Sequence, residues 1–358
     1  MSDAKSLTVI EARNIYKSFG EAFTLKRILK LPWELIVRLS GRYAKKSVLK
    51  DLSFKVEAGS VVGFLGPNGA GKSTSLKVML NLIRKDSGES YIAGFNTEYD
   101  YDSALKDTGA LVELPVFYEF MTGLENLIIT SKIYKHITPA AIDESLKKVG
   151  LYDHRHKKVS QYSTGMRQKL YVAKILLTDC SIIILDEPTS GMDPKGQAEM
   201  RELIKSLAAE KKATVLISSH LLYEIEQICD FVVIIKDGSV VTYGKVSGLL
   251  SSELEIYEIE VAAQQTERCM EYIRQKEYIS EATLKTRANA SFIEIKLGRE
   301  SVSLLLKELV GNDFDIYNFV KTRRSLENYF LEVTGEGEGK TEGAGERKSE
   351  GKKADNAQ

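Results

Sequence analysis

Short β-branched runs alternate with longer helical patterns through the first half of the chain, the rhythm of an α/β domain built on a mostly parallel sheet. Leu7–Ala12, Leu52–Val56, Val61–Leu65, Ile182–Leu185, Thr214–Ser218 and Phe231–Lys236 read as strands. The unbroken apolar run Ile182–Leu185 predicts a strand buried on both faces. A helical period dominates from Leu124 to Leu177, which predicts a helical subdomain over about residues 115–178 that interrupts the sheet. Asp237-Gly238 then marks a tight turn into a further strand, Val240–Tyr243.

Beyond Lys245 the pattern changes. Tyr257, Ile259 and Val261 alternate with polar residues, as do Ile293, Ile295 and Leu297. Helical stretches are expected near Glu267–Lys276, Ser301–Val310 and Ser325–Val333. The chain therefore divides into a first domain at 1–245, a small accessory α+β domain at 246–334 and a tail at 335–358. The tail holds no large apolar residue, cannot offset its ordering entropy, and is expected to be disordered.

Composition narrows the function classes. With 358 residues there is room for about two domains with real cores. Lys plus Arg and Asp plus Glu both number 50, so no net charge points to nucleic acid or an acidic substrate. Three cysteines, Cys180, Cys229 and Cys269, lie far apart without metal spacing and read as buried reduced thiols. No apolar run approaches the ~20 residues of a membrane-spanning helix. The opening Met1-Ser2-Asp3-Ala4-Lys5 lacks the apolar core of a signal peptide, so the sequence reads as cytosolic.

Gly66-Pro67-Asn68-Gly69-Ala70-Gly71-Lys72-Ser73-Thr74 fits G-x-x-x-x-G-K-[ST], with a predicted strand before it and the helical run Leu76–Leu82 after it. Glycines let successive backbone N–H groups curl around phosphates, and the following helix adds its positive end. Lys72 is placed to reach the β- and γ-phosphates of a bound nucleotide, and the Ser73 hydroxyl to bind Mg²⁺. Asp186, closing the second acidic strand, is placed to hold Mg²⁺ through water. Glu187 follows it as the candidate general base for the attacking water.

These motifs, with Tyr162-Ser163-Thr164-Gly165-Met166-Arg167-Gln168 eighteen residues ahead of Asp186-Glu187 and with His220, occur in an order that resembles the ATP-binding subunit of an ABC transporter. The resemblance covers roughly residues 7–245 and implies the P-loop ABC ATPase fold. It further implies that two such domains pair, each phosphate loop facing the other's Ser163, Thr164, Gly165 and Met166. Asp193 is then expected at the dimer seam, His220 at the γ-phosphate, and Phe19 stacked on adenine. Separate transmembrane permease subunits and a position on the cytoplasmic side of the cell membrane complete the expectation.

The chain departs from the family pattern in several places. The signature usually reads Leu-Ser-Gly-Gly-Gln, so Thr164 and Met166 stand where a glycine and an amide are usual. Glu113 replaces a glutamine that senses Mg²⁺, which adds it to the metal candidates. With Leu114–Tyr118 and Thr122–Leu127 it is similar to lantibiotic- and bacitracin-resistance exporters. An insertion at about 20–46 separates Phe19 from Val48-Leu49. Within it Leu25, Ile28, Leu29, Trp33, Ile36 and Leu39 fall opposite Lys26, Arg27, Lys30, Arg38 and Arg42. Such a basic amphipathic segment over 24–43 suits either an anionic membrane surface or packing on the protein's own core.

The expected function is ATP binding and hydrolysis driving an exporter. A non-transport ABC ATPase and a catalytically weak regulatory subunit stay open as alternatives.

Overall fold

The computed structural model describes residues 7–20, 45–112, 117–134, 136–178, 180–251, 254–287, 290–322 and 325–335. In chain order the first strands are β1 (Thr8–Gly20), β2 (Lys45–Glu57), β3 (Val61–Leu65), β4 (Ser87–Ile92), β5 (Phe95–Asn96), β6 (Thr108–Leu111), β7 (Ile182–Asp186), β8 (Thr214–Ser219), β9 (Phe231–Lys236) and β10 (Ser239–Lys245). The helices among them are α1 (Lys72–Met79), α2 (Tyr101–Leu105), α3 (Gly123–Ile133), α4 (Pro139–Lys148), α5 (Thr164–Leu177), α6 (Pro194–Lys211) and α7 (Leu222–Ile228).

The central sheet runs β10-β9-β3-β8-β7-β6, and all its neighbours are parallel except the β9–β10 hairpin. Every residue of β3 and of β8 is buried, as are Ile182–Leu185 of β7. Helices cover both faces of a parallel sheet, so its strands carry apolar runs in place of alternation. The parallel register places the ends of β3, β7 and β8 side by side, with Leu65 opposite Ser219 and Asp186 opposite Ser218.

A second, antiparallel sheet has the order β2-β1-β4-β5. β1 and β2 run well past the expected Leu7–Ala12 and Leu52–Val56. Their register shifts between Ala12 and Ile15 and again near Lys17, which breaks the two-residue alternation by which a strand is read. The last register pair is Gly20 with Lys45. The short strands β4, β5 and β6 lack any long apolar run and escape a reading by pattern.

The expected helical region resolves into α3, α4 and α5. Thr122 opens α3 with a capping box: its Oγ1 accepts from the Glu125 amide at 3.2 Å, and Glu125 Oε2 accepts from the Thr122 amide at 2.7 Å. Thr138 caps α4 ahead of Pro139, and Ser163 caps α5.

After β10 come α8 (Val246–Leu250), β11 (Leu254–Val261), α9 (Thr266–Arg274), β12 (Ile279–Arg287), β13 (Ala290–Gly298), α10 (Val302–Gly311), β14 (Ile316–Thr322) and α11 (Leu326–Thr334). The four strands pair antiparallel in the order β12-β13-β11-β14, and β-α-β-β-α-β is the ferredoxin-like arrangement. Ile259, Ile293, Ile295, Ile273, Leu305 and Leu309 form its own core.

The final helix does not stay with that sheet. Leu326 and Phe330 of α11 are buried in the core that contains Leu185, Ile217 and Val232. The α11 amide of Leu326 donates to Glu226 Oε2 at 2.9 Å, and Lys236 donates to the Thr334 carbonyl. All three cysteines are buried and outside any disulfide, and burial pushes the Cys269 thiol up to about 11. No helix among the described residues is long and apolar enough to cross a membrane.

Candidate functional site

The phosphate loop joins β3 to α1. Gly71 closes it at φ 104°, in the left-handed region, where a Cβ would lie 2.8 Å from Leu49 Cδ2 and 3.2 Å from the Val48 carbonyl. Below it Gly238, φ 85°, wedges between the loop and β2. Its N–H donates to the Ala70 carbonyl at 3.1 Å, and a Cβ would lie 2.2 Å from the Val48 carbonyl. Val48 and Leu49 thus leave no room for a side chain at Gly71 or Gly238, whereas Gly69 faces open space. Lys72 is buried, and its Nζ donates to the carbonyls of Gly66 at 2.7 Å and Pro67 at 3.3 Å. Burial pushes the Lys72 ammonium below its ordinary 10.5, opposed by the nearby carboxylates of Glu187 and Asp186. Asn68, Gly69 and Ser73 are exposed, Pro67 and Thr74 half-buried, and Gly66 and Ala70 buried.

The acidic pair ends β7. Asp186 Oδ1 accepts from the Ser218 hydroxyl. Glu187 sits at φ 46°, a conformation costing a non-glycine residue roughly 1–2 kcal/mol. Its amide donates to the Ser218 carbonyl at 3.1 Å and to the Ser218 Oγ at 3.0 Å. Glu187 Oε2 lies 3.1 Å from His220 Nδ1. Lys72, Asp186, Glu187 and His220 thus gather at one end of three adjacent strands. Ser218 ties the acidic pair to the segment carrying His220; one of two serines closing an apolar strand carries no signal of that role in the sequence.

Ser163, Thr164, Gly165 and Met166 lie instead against the turn before α6. Met192 Cγ and Cε stand 3.4 Å from where a Gly165 Cβ would lie, and Thr164 Cγ2 stands 3.6 Å from that of Gly191. Ser163 Oγ accepts from the Met166 amide at 3.2 Å. That bond uses a lone pair, so the exposed hydroxyl keeps its hydrogen to donate. Asp193 is exposed and caps α6, accepting from the Gly196 amide at 3.2 Å. Gln168 Nε2 donates to the Ser190 carbonyl at 3.2 Å, so helix α5 grips the same turn.

Phe19 lies near the end of β1, 39% exposed, with Lys17 Nζ 4.9 Å from its ring centroid. Lys17 pairs with Leu49, the residue that packs on Gly71, so the hairpin runs beside the phosphate loop. Glu113 and the insertion over 24–43 lie outside the described residues.

An exposed hydroxyl at Ser73 and a carboxylate at Asp186 are hard oxygen donors of the kind Mg²⁺ takes, and the crowded glycine backbone fits a close-lying polyphosphate. A six-stranded, mostly parallel sheet with this loop and acidic strand defines a P-loop ATPase of the cassette class.

Comparison with known proteins narrows this further. Residues 49–190 match the ABC transporter family. The chain is 39% identical over 291 residues to the uncharacterized ABC transporter ATP-binding protein YhcH of Bacillus subtilis, covering 81% of this chain and 92% of the relative. It is 36% identical to the bacitracin transport ATP-binding protein BcrA of Bacillus licheniformis, covering 84% of this chain and 96% of that one. Among solved structures, an ATP-binding subunit of an ABC transporter matches with TM-score 0.54 at 26% identity, covering 67% of this chain and 91% of that chain. A dimeric bacterial ABC transporter cassette matches with TM-score 0.55 at 25% identity, covering 66% and 98%. The chain belongs to the ABC transporter family as an ATP-binding subunit, and it is an ATPase with the P-loop ABC ATPase fold.

Proposed function

We propose that this subunit powers an exporter whose transmembrane subunits are separate chains, through ATP-driven pairing of two ATPase subunits. The convergence of Lys72, Asp186, Glu187 and His220, with Glu187 and His220 3.1 Å apart, carries the reading. Similarity to a bacitracin transport protein over 84% of the chain supports the exporter class.

The phosphate loop Gly66–Thr74 binds the ATP phosphates through its backbone N–H groups, and Lys72 supplies positive charge to the β- and γ-phosphates. Phe19 offers its exposed ring to adenine. Ser73, Asp186 and Glu113 would hold Mg²⁺. Bound Mg²⁺ would neutralise charge on the phosphate oxygens. Glu187 accepts the proton of the attacking water, and His220, oriented by Glu187, donates toward the γ-phosphate. Across the seam, Ser163 donates its free hydroxyl hydrogen to the other subunit's nucleotide. Gly165 leaves room for that approach, flanked by Thr164 and Met166, and Asp193 faces the opposite copy. The subunit then works on the cytoplasmic side of the cell membrane.

Glu187→Gln keeps the shape of the side chain and removes its basicity. The variant is expected to lose at least about 10²-fold in turnover and to accumulate as an ATP-bound dimer in size-exclusion chromatography. Turnover near the wild-type rate refutes the assignment of the base.

Residues 24–43 carry the basic amphipathic pattern that an anionic membrane surface attracts. Each basic residue near an anionic surface contributes about 1 kcal/mol. Deleting residues 23–44 is expected to abolish flotation with anionic vesicles; unchanged flotation rejects the lipid reading.

A further inference from the structure

Glu224 is a buried carboxylate with no part in the steps above. It lies in α7, just past His220, and is 3% exposed. Its Oε2 accepts the Thr189 hydroxyl at 2.7 Å, and its Oε1 accepts from the Arg201 guanidinium at 3.2 Å. Thr189 is 2% exposed and stands two residues beyond Glu187, in the turn that ends at Asp193. Arg201 lies on α6, the helix that Asp193 caps.

One continuous segment, residues 218–224, therefore holds this turn at two points. Ser218 takes the Glu187 amide with its carbonyl and its hydroxyl, and Glu224 takes the Thr189 hydroxyl. Between those anchors the same segment presents His220 to Glu187. Burying an ionised carboxylate is costly, and a well-packed apolar group of similar size would do as well for stability. What the buried carboxylate adds is geometry, because both of its oxygens are directed to named donors. Geometry is what Glu187 requires: at φ 46° it holds a conformation that persists only when its surroundings over-determine it.

We propose that Glu224 is a positioning residue for ATP hydrolysis: through Thr189 it locks the turn carrying Glu187 and Asp193 to the segment carrying His220. Resting on the reading of Glu187 as base, the inference makes the base, the histidine and the dimer seam one rigid unit. A change at the seam is then transmitted to the base through Thr189 and Glu224.

The test uses the full-length protein and three measurements: steady-state ATP hydrolysis, binding of a fluorescent ATP analogue, and thermal unfolding. Thr189→Val keeps the volume and removes the hydroxyl. It is expected to lower kcat about 10- to 100-fold, as a misplacement of about 1 Å at a catalytic group does. Analogue affinity should stay at the wild-type value, while the unfolding temperature falls because Glu224 Oε2 is left buried without its donor. Thr189→Ser should recover most of kcat, and the double variant Thr189→Val with Glu224→Met should be no slower than Glu224→Met alone, since each change removes the same hydrogen bond. Wild-type kcat in Thr189→Val overturns the inference. So does a parallel fall of kcat, affinity and unfolding temperature, the mark of a merely structural contact. If Glu187→Gln abolishes turnover while Thr189→Val does not, the positioning role alone fails. Full turnover in Glu187→Gln instead removes the base on which it rests.

Discussion

A methyl group at residue 71 has nowhere to go. The 2.8 Å approach to Leu49 Cδ2 and 3.2 Å approach to the Val48 carbonyl come on top of φ 104°, so Gly71→Ala must displace either the loop or β2. Nucleotide affinity is expected to fall at least about tenfold by fluorescent-analogue titration, in step with a lowered unfolding temperature, since a residue confined to positive φ resists substitution. At this scale the site was largely legible. The glycines, Lys72 and the acidic pair declare themselves by spacing, because phosphate binding demands a fixed number of backbone N–H groups before the lysine. Ser218, Thr189 and Glu224 were not legible: their roles depend on partners up to 35 positions away in the chain.

Among the elements, α3 shows how a helix start answers to pH. The Thr122 amide and hydroxyl, both donating to the Glu125 carboxylate, hold it below its ordinary 4.5. A depressed carboxyl contributes stability in full above 4.5 and loses it as pH falls through the lower folded value. Acidification should therefore loosen the first turn of α3 only below that ordinary range. Thr122→Ala keeps the backbone N–H, the larger cause, and removes the hydroxyl, so the Glu125 pKa is expected to rise part of the way toward 4.5, read from its carboxyl carbon shift in NMR titration; an unchanged pKa rejects the hydroxyl's share. The strongly apolar strands β3, β7, β8 and β9 fall where their sequence runs fall, because strands buried on both faces need no alternation to reveal them. β1 and β2 were read too short, since bulges shift the two-residue period that marks a half-buried strand.

For the whole molecule, the return of α11 is the decisive contact. By sequence it continues the α+β unit that precedes it, yet Phe330 and Leu326 bury in the core of the ATPase sheet, and Tyr329 and Thr242 lie 3.3 Å apart through their hydroxyls. Phe330→Ala is expected to cost about 3–5 kcal/mol, the usual range for a buried aromatic. Hydrogen exchange of the α11 amides should accelerate while that of β11 to β14 stays unchanged. Equal acceleration in both regions rejects the placement of α11 on the ATPase core.

The amino-acid sequence by itself determined the phosphate loop, the acidic strand, the order of the motifs and the change of pattern near Lys245. Each of these is written in local spacing, and local spacing is set by the period of the backbone and the size of a phosphate group. Tertiary structure alone decided that Ser218 and Glu224 grip the catalytic turn from both sides of His220. It also decided that α11 closes back on the first core and that Gly20 pairs with Lys45. Those features are pairings between distant positions, and a pairing across the fold leaves no period along the chain.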